Sequence, residues 1–348
     1  MRDPLRVSAL TGDVRVPSAR FRVGQFVAPL RALGVDLRWR PAPVSNYPPR
    51  SPALRPLWLP ATAAARLPSL AATWTADVTL LQRELVSTLA TLEALTRRPR
   101  VLDVDDAIWM RRGGGFAARI ARGCELVIAG NDYVADWFGP HCRRVEILPT
   151  AVDTERFRPR DAAGAADDDG RVVIGWSGTS SNLSFLTGIE GALARVLRER
   201  PRCRLAVCSD TPPRFTAVPA DRVDFEPWRP ATEVGFFQRL DVGLMPLTDD
   251  DWTRGKCSYK MLLYLACGAP VVVSPVGMNA QVLAQAEVGF GAATDEAWAD
   301  ALITLIDDAA LRRRMGRAGT DLVTAGYSVA ALAPRLAGLL EDVARGRR

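Results

Sequence analysis

Short apolar runs of strand length alternate with amphipathic stretches of helix length along nearly the whole chain. That alternation restricts the fold more than any other feature. In the first half, runs at 5–10, 35–39, 77–81, 101–104, 126–129 and 145–148 predict strands, and apolar spacing over 20–33, 84–95, 116–122 and 133–138 predicts helices. The proline-rich stretch 41–60 predicts a loop. Residues 160–170, RDAAGAADDDG, are small, acidic and poor in apolar side chains, which reads as a linker. The pattern then resumes, with strands at 171–176, 204–208, 223–225, 242–245 and 270–274 and helices at 233–239 and 256–267. Further helices start at Ala297 and Leu311, and a last one over 329–343 precedes a basic tail. Strand–helix alternation makes parallel sheets covered on both faces. The expected architecture is α/β, with doubly wound domains at 1–159 and 171–328, a linker at 160–170, and a C-terminal helix and basic tail at 329–348.

Length and composition agree with that reading. The 348 residues suit two domains at roughly 150 residues each. With 48% apolar and 24% charged residues the chain has the balance of a soluble globular protein, not a disordered one. The longest apolar run, 261–273, holds Gly268 and Pro270 and is too short to cross a bilayer. No secretory apolar segment follows Met1, so the cytoplasm is the expected compartment, with the inner membrane face as an open alternative. The net charge of +6 is modest and its arginines are dispersed, which argues against nucleic acid as a partner. Six cysteines without a C-x-x-C pair, and one histidine, His141, make a Cys/His zinc site unexpected. His141 follows Gly139-Pro140 and reads as a surface residue.

Of 45 basic residues only Lys256 and Lys260 are lysines. On a helix over 256–267 they would sit one turn apart on one face, next to Arg254 and Gly255. Two cations there oppose the helix dipole, a cost that makes sense if an anion sits at the helix start. A diphosphate is the natural guest; the plain alternative is a solvated helix face. A second candidate is Gly175-Trp-Ser-Gly-Thr-Ser-Ser-Asn182, a strand–turn–helix element whose Ser177, Gly178 and Thr179 could offer N–H groups to phosphate. It equally fits an ordinary turn capped by Ser180, Ser181 or Asn182. A third is Asp105-Asp106 at the carboxyl end of a strand, where carboxylates could hold sugar hydroxyls, assist proton movement or simply cap a helix. Gln82, Arg83, Gly12 and the Arg15–Arg20 loop point to the same edge. Asp249 to Asp251 could receive hydroxyls or orient Arg254, and Trp228 could stack on a base or sugar or belong to the core.

At these residues the chain resembles the family-4 glycosyltransferases of GT-B fold. The matching segments are Gln82-Arg83, Asp103-Val-Asp-Asp106 and Leu148-Pro-Thr-Ala-Val-Asp153, then Ile174-Gly-Trp-Ser-Gly178, Asp241-Val-Gly-Leu-Met-Pro-Leu247, Gly255-Lys-Cys-Ser-Tyr-Lys260, Ala266-Cys-Gly-Ala-Pro270 and Ser274-Pro-Val-Gly277. The resemblance implies two Rossmann-like domains facing a central cleft. It implies retaining transfer from a nucleoside-diphosphate sugar without an obligatory metal or further cofactor, with the donor on the second domain and the acceptor on the first. Two glutamates that many members carry across the 256–267 segment are not matched, since Gly255 and Leu263 stand there. On this reading Lys256, Asp105 and Asp106 are the catalytic candidates. Lys256, Lys260, Arg254, Gly255, Ser177, Gly178 and Thr179 would face the donor diphosphate, and Gly12, Arg15, Arg20, Gln82, Arg83 and Asp249 the acceptor or sugar. The acceptor is a small molecule, a glycan or a lipid-linked molecule, the last met at a peripheral membrane contact. A nucleotide-sugar epimerase and a non-catalytic sugar-nucleotide-binding protein are the rival readings.

Overall fold

A computed structural model describes residues 3–49, 51–160 and 170–346. The chain divides into two compact units: Met1–Ala151, Gly255–Cys257 and Val329–Arg348 form one, and Val152–Arg254 with Ser258–Ser328 form the other. The second unit thus opens at Val152, ahead of the expected linker, of which 161–169 lie outside the described residues. The C-terminal helix, Val329–Ala344, counts with the first unit.

The first unit holds β1 (Leu5–Thr11), β2 (Val35–Pro41), β3 (Val78–Gln82), β4 (Arg100–Val104), β5 (Leu126–Ala129) and β6 (Val145–Ile147). All pair in parallel in the order β2-β1-β3-β4-β5-β6. Their alternate residues, including Val7, Val78, Leu80, Val101 and Leu126, pack against Leu332, Leu336, Leu340 and Val343 of the C-terminal helix. The order reverses between β1 and β3, so the carboxyl ends of those strands flank the crevice where such sheets take ligands.

The second unit holds β7 (Val172–Ser177), β8 (Cys203–Ser209), β9 (Val223–Pro227), β10 (Val242–Met245), β11 (Val271–Val273) and β12 (Gly289–Gly291), again all parallel, in the order β12-β11-β10-β7-β8-β9. Here the reversal falls between β7 and β10. Trp298, Leu302 and Leu305 from the helix Asp295–Asp307 fill its core.

Three expected elements need correction. The predicted helix at 84–95 is absent apart from a single 3-10 turn, Glu93–Leu95. The carboxylates of Glu84 and Glu93 take the N–H groups of Thr88, Leu85 and Thr91, so side chains replace the helical ladder. The predicted loop at 41–60 gives way to a helix, Arg55–Thr73, which carries Pro60 and Pro68 inside it. Proline removes a donor from a helix, but Pro56 stands in the first turn and alanine and leucine fill much of the rest. The helix expected at 256–267 starts only at Tyr259, because Ser258 is left-handed at φ 48°. Lys256 therefore lies outside the helix that bears Lys260, and the two do not share a helix face.

Candidate active site

In the first unit the candidates gather at the carboxyl ends of β3, β4 and β5. Arg83, directly after β3, donates Nε to Asp105 Oδ1 and Nη2 to Asp106 Oδ2, both at 2.7 Å. Gln82 Nε2 lies 3.5 Å from the same Asp105 oxygen. Arg83 holds this bridge from a left-handed backbone, φ 60°, a conformation that costs a non-glycine residue about 1–3 kcal/mol. Neither aspartate caps the turn that follows, Ile108–Met110. Burial opposes the Arg83 charge, but Asp105 and Asp106 outweigh it and hold the guanidinium protonated. Burial lifts the Asp106 carboxyl above its ordinary value, against the pull of Arg83 and Lys256 and with Asp105 adding to the lift.

Beneath this cluster lies a pair that the sequence reading missed. Arg22 grips Asp103 at 2.6 Å, both side chains almost wholly buried, and Arg22 Nη1 donates to the Leu148 carbonyl at 2.7 Å. Burial works against the Arg22 charge, and Asp103 outweighs it, keeping the guanidinium charged above its usual range.

Residues 255–257 complete the edge. Asn131, which caps the helix Asp132–Phe138 through Val134 N–H, donates Nδ2 to the carbonyls of Gly255 and Lys256 at 3.2 and 3.1 Å. Cys257 Sγ lies 2.8 Å from the Asp105 carbonyl. A Cβ on Gly255 would stand 2.6 Å from Ala107 Cβ, and one on Gly130 would stand 2.3 Å from Cys257 Sγ, so glycine is required on both sides of the seam. The charge of Lys256 reaches Asp106. An asparagine before a predicted helix is a cap signal, so Asn131 was open to sequence reading; nothing distinguishes Arg22 from its many fellow arginines.

The remaining first-unit candidates lie about Gly12, after β1. A Cβ there would meet Asn46 Oδ1 at 3.2 Å. Arg15 pairs with Asp13 at 3.1 Å and is largely exposed, and Arg20 lies over the Phe21 ring. His141 packs edge-on against Trp137 and lines a cleft of about 840 Å³ with Arg98, Arg122 and Arg144. That cleft sits at the amino ends of β4 to β6, the edge opposite the cluster.

In the second unit the turn after β7 is held by two neutral acceptors and one exposed carboxylate. Ser177 N–H donates to Tyr264 Oη at 2.8 Å, Gly178 N–H to the Cys208 carbonyl at 3.1 Å, and Ser180 N–H to Asp210 at 2.6 Å. Thr179 Oγ1 accepts from Asn182 Nδ2 at 2.9 Å. None of Ser180, Ser181 or Asn182 makes a side-chain cap bond to the helix Leu183–Thr187, which corrects the capping expectation. After β10, Asp249 orients Arg254 at 2.8 Å, while Asp250 accepts the Thr253 N–H. Lys260 Nζ lies 5.5 Å from the Phe237 ring, and Trp228 Nε1 donates to Glu233 at 3.1 Å. Leu263, at one of the two unmatched glutamate positions, is fully buried. Among the described residues no group of three or more His, Cys, Asp or Glu side chains is placed to hold a metal ion.

Two parallel six-stranded doubly wound sheets place the protein in the GT-B fold class. The sucrose-phosphate synthase of Thermosynechococcus elongatus has the same fold, with a TM-score of 0.73 at 14% identity over 98% of this chain and 100% of that one. Within the class, residues 173–308, in the second unit, match the family model "Glycosyl transferases group 1". A GDP-mannose-dependent alpha-(1-6)-phosphatidylinositol monomannoside mannosyltransferase of Mycobacterium tuberculosis is 30% identical over 65% of this chain and 65% of its own. A D-inositol 3-phosphate glycosyltransferase of Segniliparus rotundus is 25% identical over 54% of this chain and 44% of its own. The matches thus span less than two thirds of the length of both relatives.

Proposed function

We propose that the protein transfers a hexose-type sugar from a nucleoside-diphosphate sugar to an acceptor hydroxyl, with retention at the anomeric carbon. The observation that carries this reading is the anchoring of Lys256 beside the Arg83–Asp105–Asp106 cluster, on a segment stitched down by Asn131 and Cys257. The family match of the second unit and the nucleotide-sugar dependence in the mannosyltransferase's name support it. In the transfer, the bond from the anomeric carbon to the diphosphate oxygen breaks, negative charge grows on the departing diphosphate, and the acceptor oxygen takes its place at that carbon and gives its proton to the departing diphosphate. Lys256 offsets that charge. Ser177, Gly178 and Thr179, at the strand-order reversal of the second sheet, mark the donor side. Asp105, Asp106 and Gln82 receive acceptor hydroxyls, and Arg83 fixes both carboxylates. Gly12, Arg15 and Arg20 complete the acceptor side of the first unit, and Asp249 stands on the second.

Incubation with UDP- and GDP-hexoses and candidate inositol or glycan acceptors tests this. Release of nucleoside diphosphate coupled to a glycosylated product is expected; isomerised nucleotide sugar with no release would point to an epimerase. A second reading, a non-catalytic sugar-nucleotide-binding protein, is favoured by buried Leu263 and by Gly255 at the two glutamate positions. Calorimetric binding of nucleotide sugar without turnover on any acceptor would select it.

A further inference from the structure

The helix Arg55–Thr73 is built inside out. Its inward positions, Thr62, Arg66, Leu70 and Thr73, follow helical spacing and are buried, and three of the four are polar. Its outward positions are apolar: Leu57 is 71% exposed, Leu67 56%, and Ala64 and Ala71 are exposed with them. Trp74, 64% exposed, stands just past its end and donates Nε1 to the carbonyl of Leu95, itself exposed. The helix Val329–Ala344 of the same unit shows the usual arrangement, with Leu332, Leu336, Leu340 and Val343 turned inward. Single exposed leucines need no explanation, but a contiguous apolar face rimmed by polar groups marks a contact surface.

The charges at its margins identify what covers it. From 37 to 76 the chain has no aspartate or glutamate, while it has arginines at 38, 40, 50, 55 and 66. Exposed Arg55 opens the helix, and Arg97 donates to the Trp74 carbonyl at its close. The nearest acids are already committed: Asp77 is paired with Arg6, and Glu84 and Glu93 are buried on backbone N–H groups. An apolar face with cationic margins would meet like charge in a two-fold contact with its own copy, but opposite charge on anionic lipid. At roughly 28 Å by helical rise, the helix is suited to lying along an interface. No helix among the described residues is long and apolar enough to cross a membrane.

We infer that the outward face of Arg55–Thr73, extended by Trp74 and Leu95, docks flat on an anionic lipid bilayer. Leucine and tryptophan side chains enter the boundary between headgroups and acyl chains, and Arg55 and Arg97 meet lipid phosphates. The inference stands on the polarity of this helix and not on the transferase reading, because turnover on a water-soluble acceptor does not depend on it. The test is co-sedimentation with vesicles of phosphatidylcholine alone and of phosphatidylcholine with phosphatidylglycerol. Wild type is expected to bind the anionic vesicles preferentially. Leu57→Glu/Leu67→Glu should weaken that binding at least ~tenfold with an unchanged melting temperature, since both side chains are exposed. Arg55→Ala should narrow the preference for anionic over neutral lipid. Wild type that sediments with neither vesicle overturns the inference. So does a double variant that binds as wild type does, or a wild-type dimer, seen by analytical ultracentrifugation, that the double substitution splits while vesicle binding is unchanged.

Discussion

The two sheets share parallel pairing and strand number, yet their carboxyl edges are built from different materials. The first is a stack of buried and half-buried charges: Arg22 on Asp103, then Arg83 on Asp105 and Asp106, with Lys256 beside them. The second uses neutral groups where it is buried, with Tyr264 Oη on Ser177 N–H, the Cys208 carbonyl on Gly178 N–H, and Ser274 Oγ on Leu247 N–H, while its charges, Asp210 on Ser180 N–H and the Asp249–Arg254 pair, are exposed. A charged edge is pre-set and expensive to disturb, because each buried ion depends on its partner. An edge whose charges are exposed is cheaper to assemble, because solvent screens them. On the function proposed here, the first edge would fix acceptor hydroxyl groups and the second would receive a donor with charge of its own.

The sharpest way to break the comparison is to remove one buried ion. Arg22→Ala strands Asp103 in the interior and should cost about 3–5 kcal/mol, read from urea denaturation. A loss below about 1 kcal/mol, the level of an exposed pair, would mean that the first edge does not rest on its charges. Lys256→Ala comes next and concerns activity. Turnover should fall by a factor of ~100 or more, the scale for removing one group that stabilises developing charge, with little change in melting temperature. Wild-type turnover in this variant would remove Lys256 from the chemistry. On the second edge, Tyr264→Phe leaves the buried Ser177 N–H without its acceptor and should cost about 1–3 kcal/mol. A loss matching that of Arg22→Ala would erase the distinction between the edges.

Much of this frame was legible in the chain. The apolar runs at 126–129 and 242–245 coincide with β5 and β10, because a strand buried on both faces needs an unbroken apolar run. Residues read as sharing one edge, Gln82, Arg83, Asp105 and Asp106, do come together, since parallel strands deliver their following loops to the same side. What failed did so for local reasons. Glutamates that bind backbone N–H groups undid the helix at 84–95, and a left-handed Ser258 separated Lys256 from the helix it was expected to start. The helix Arg55–Thr73 escaped notice because prolines mask it and its apolar side faces outward, reversing the pattern by which helices are recognised. Arg22 carried no signal, because burial of an arginine is settled by the carboxylate that meets it across the sheet.

The smallest expected effect separates the edges by sign. Glu190, on the helix Glu190–Glu199 of the second unit, accepts the N–H groups of Ala217, Thr216 and Val218, and these hold its carboxyl below the ordinary value. Its stabilising contribution is therefore present above the unfolded value of about 4.3 and is lost as pH falls through the lower folded value. Asp106 runs the other way. Burial raises its folded value, so its contribution is present below the unfolded value of about 3.9 and is lost as pH rises through the raised one. Plotted against pH, the stability of wild type relative to Glu190→Gln should rise from acid toward neutral, whereas that of wild type relative to Asp106→Asn should fall over its own window. Thermal melts of the three proteins across the acid range measure both slopes. Two slopes of the same sign would show that Asp106 behaves as a solvated, paired carboxylate, and the first edge would then owe its character to Arg22 and Asp103 alone.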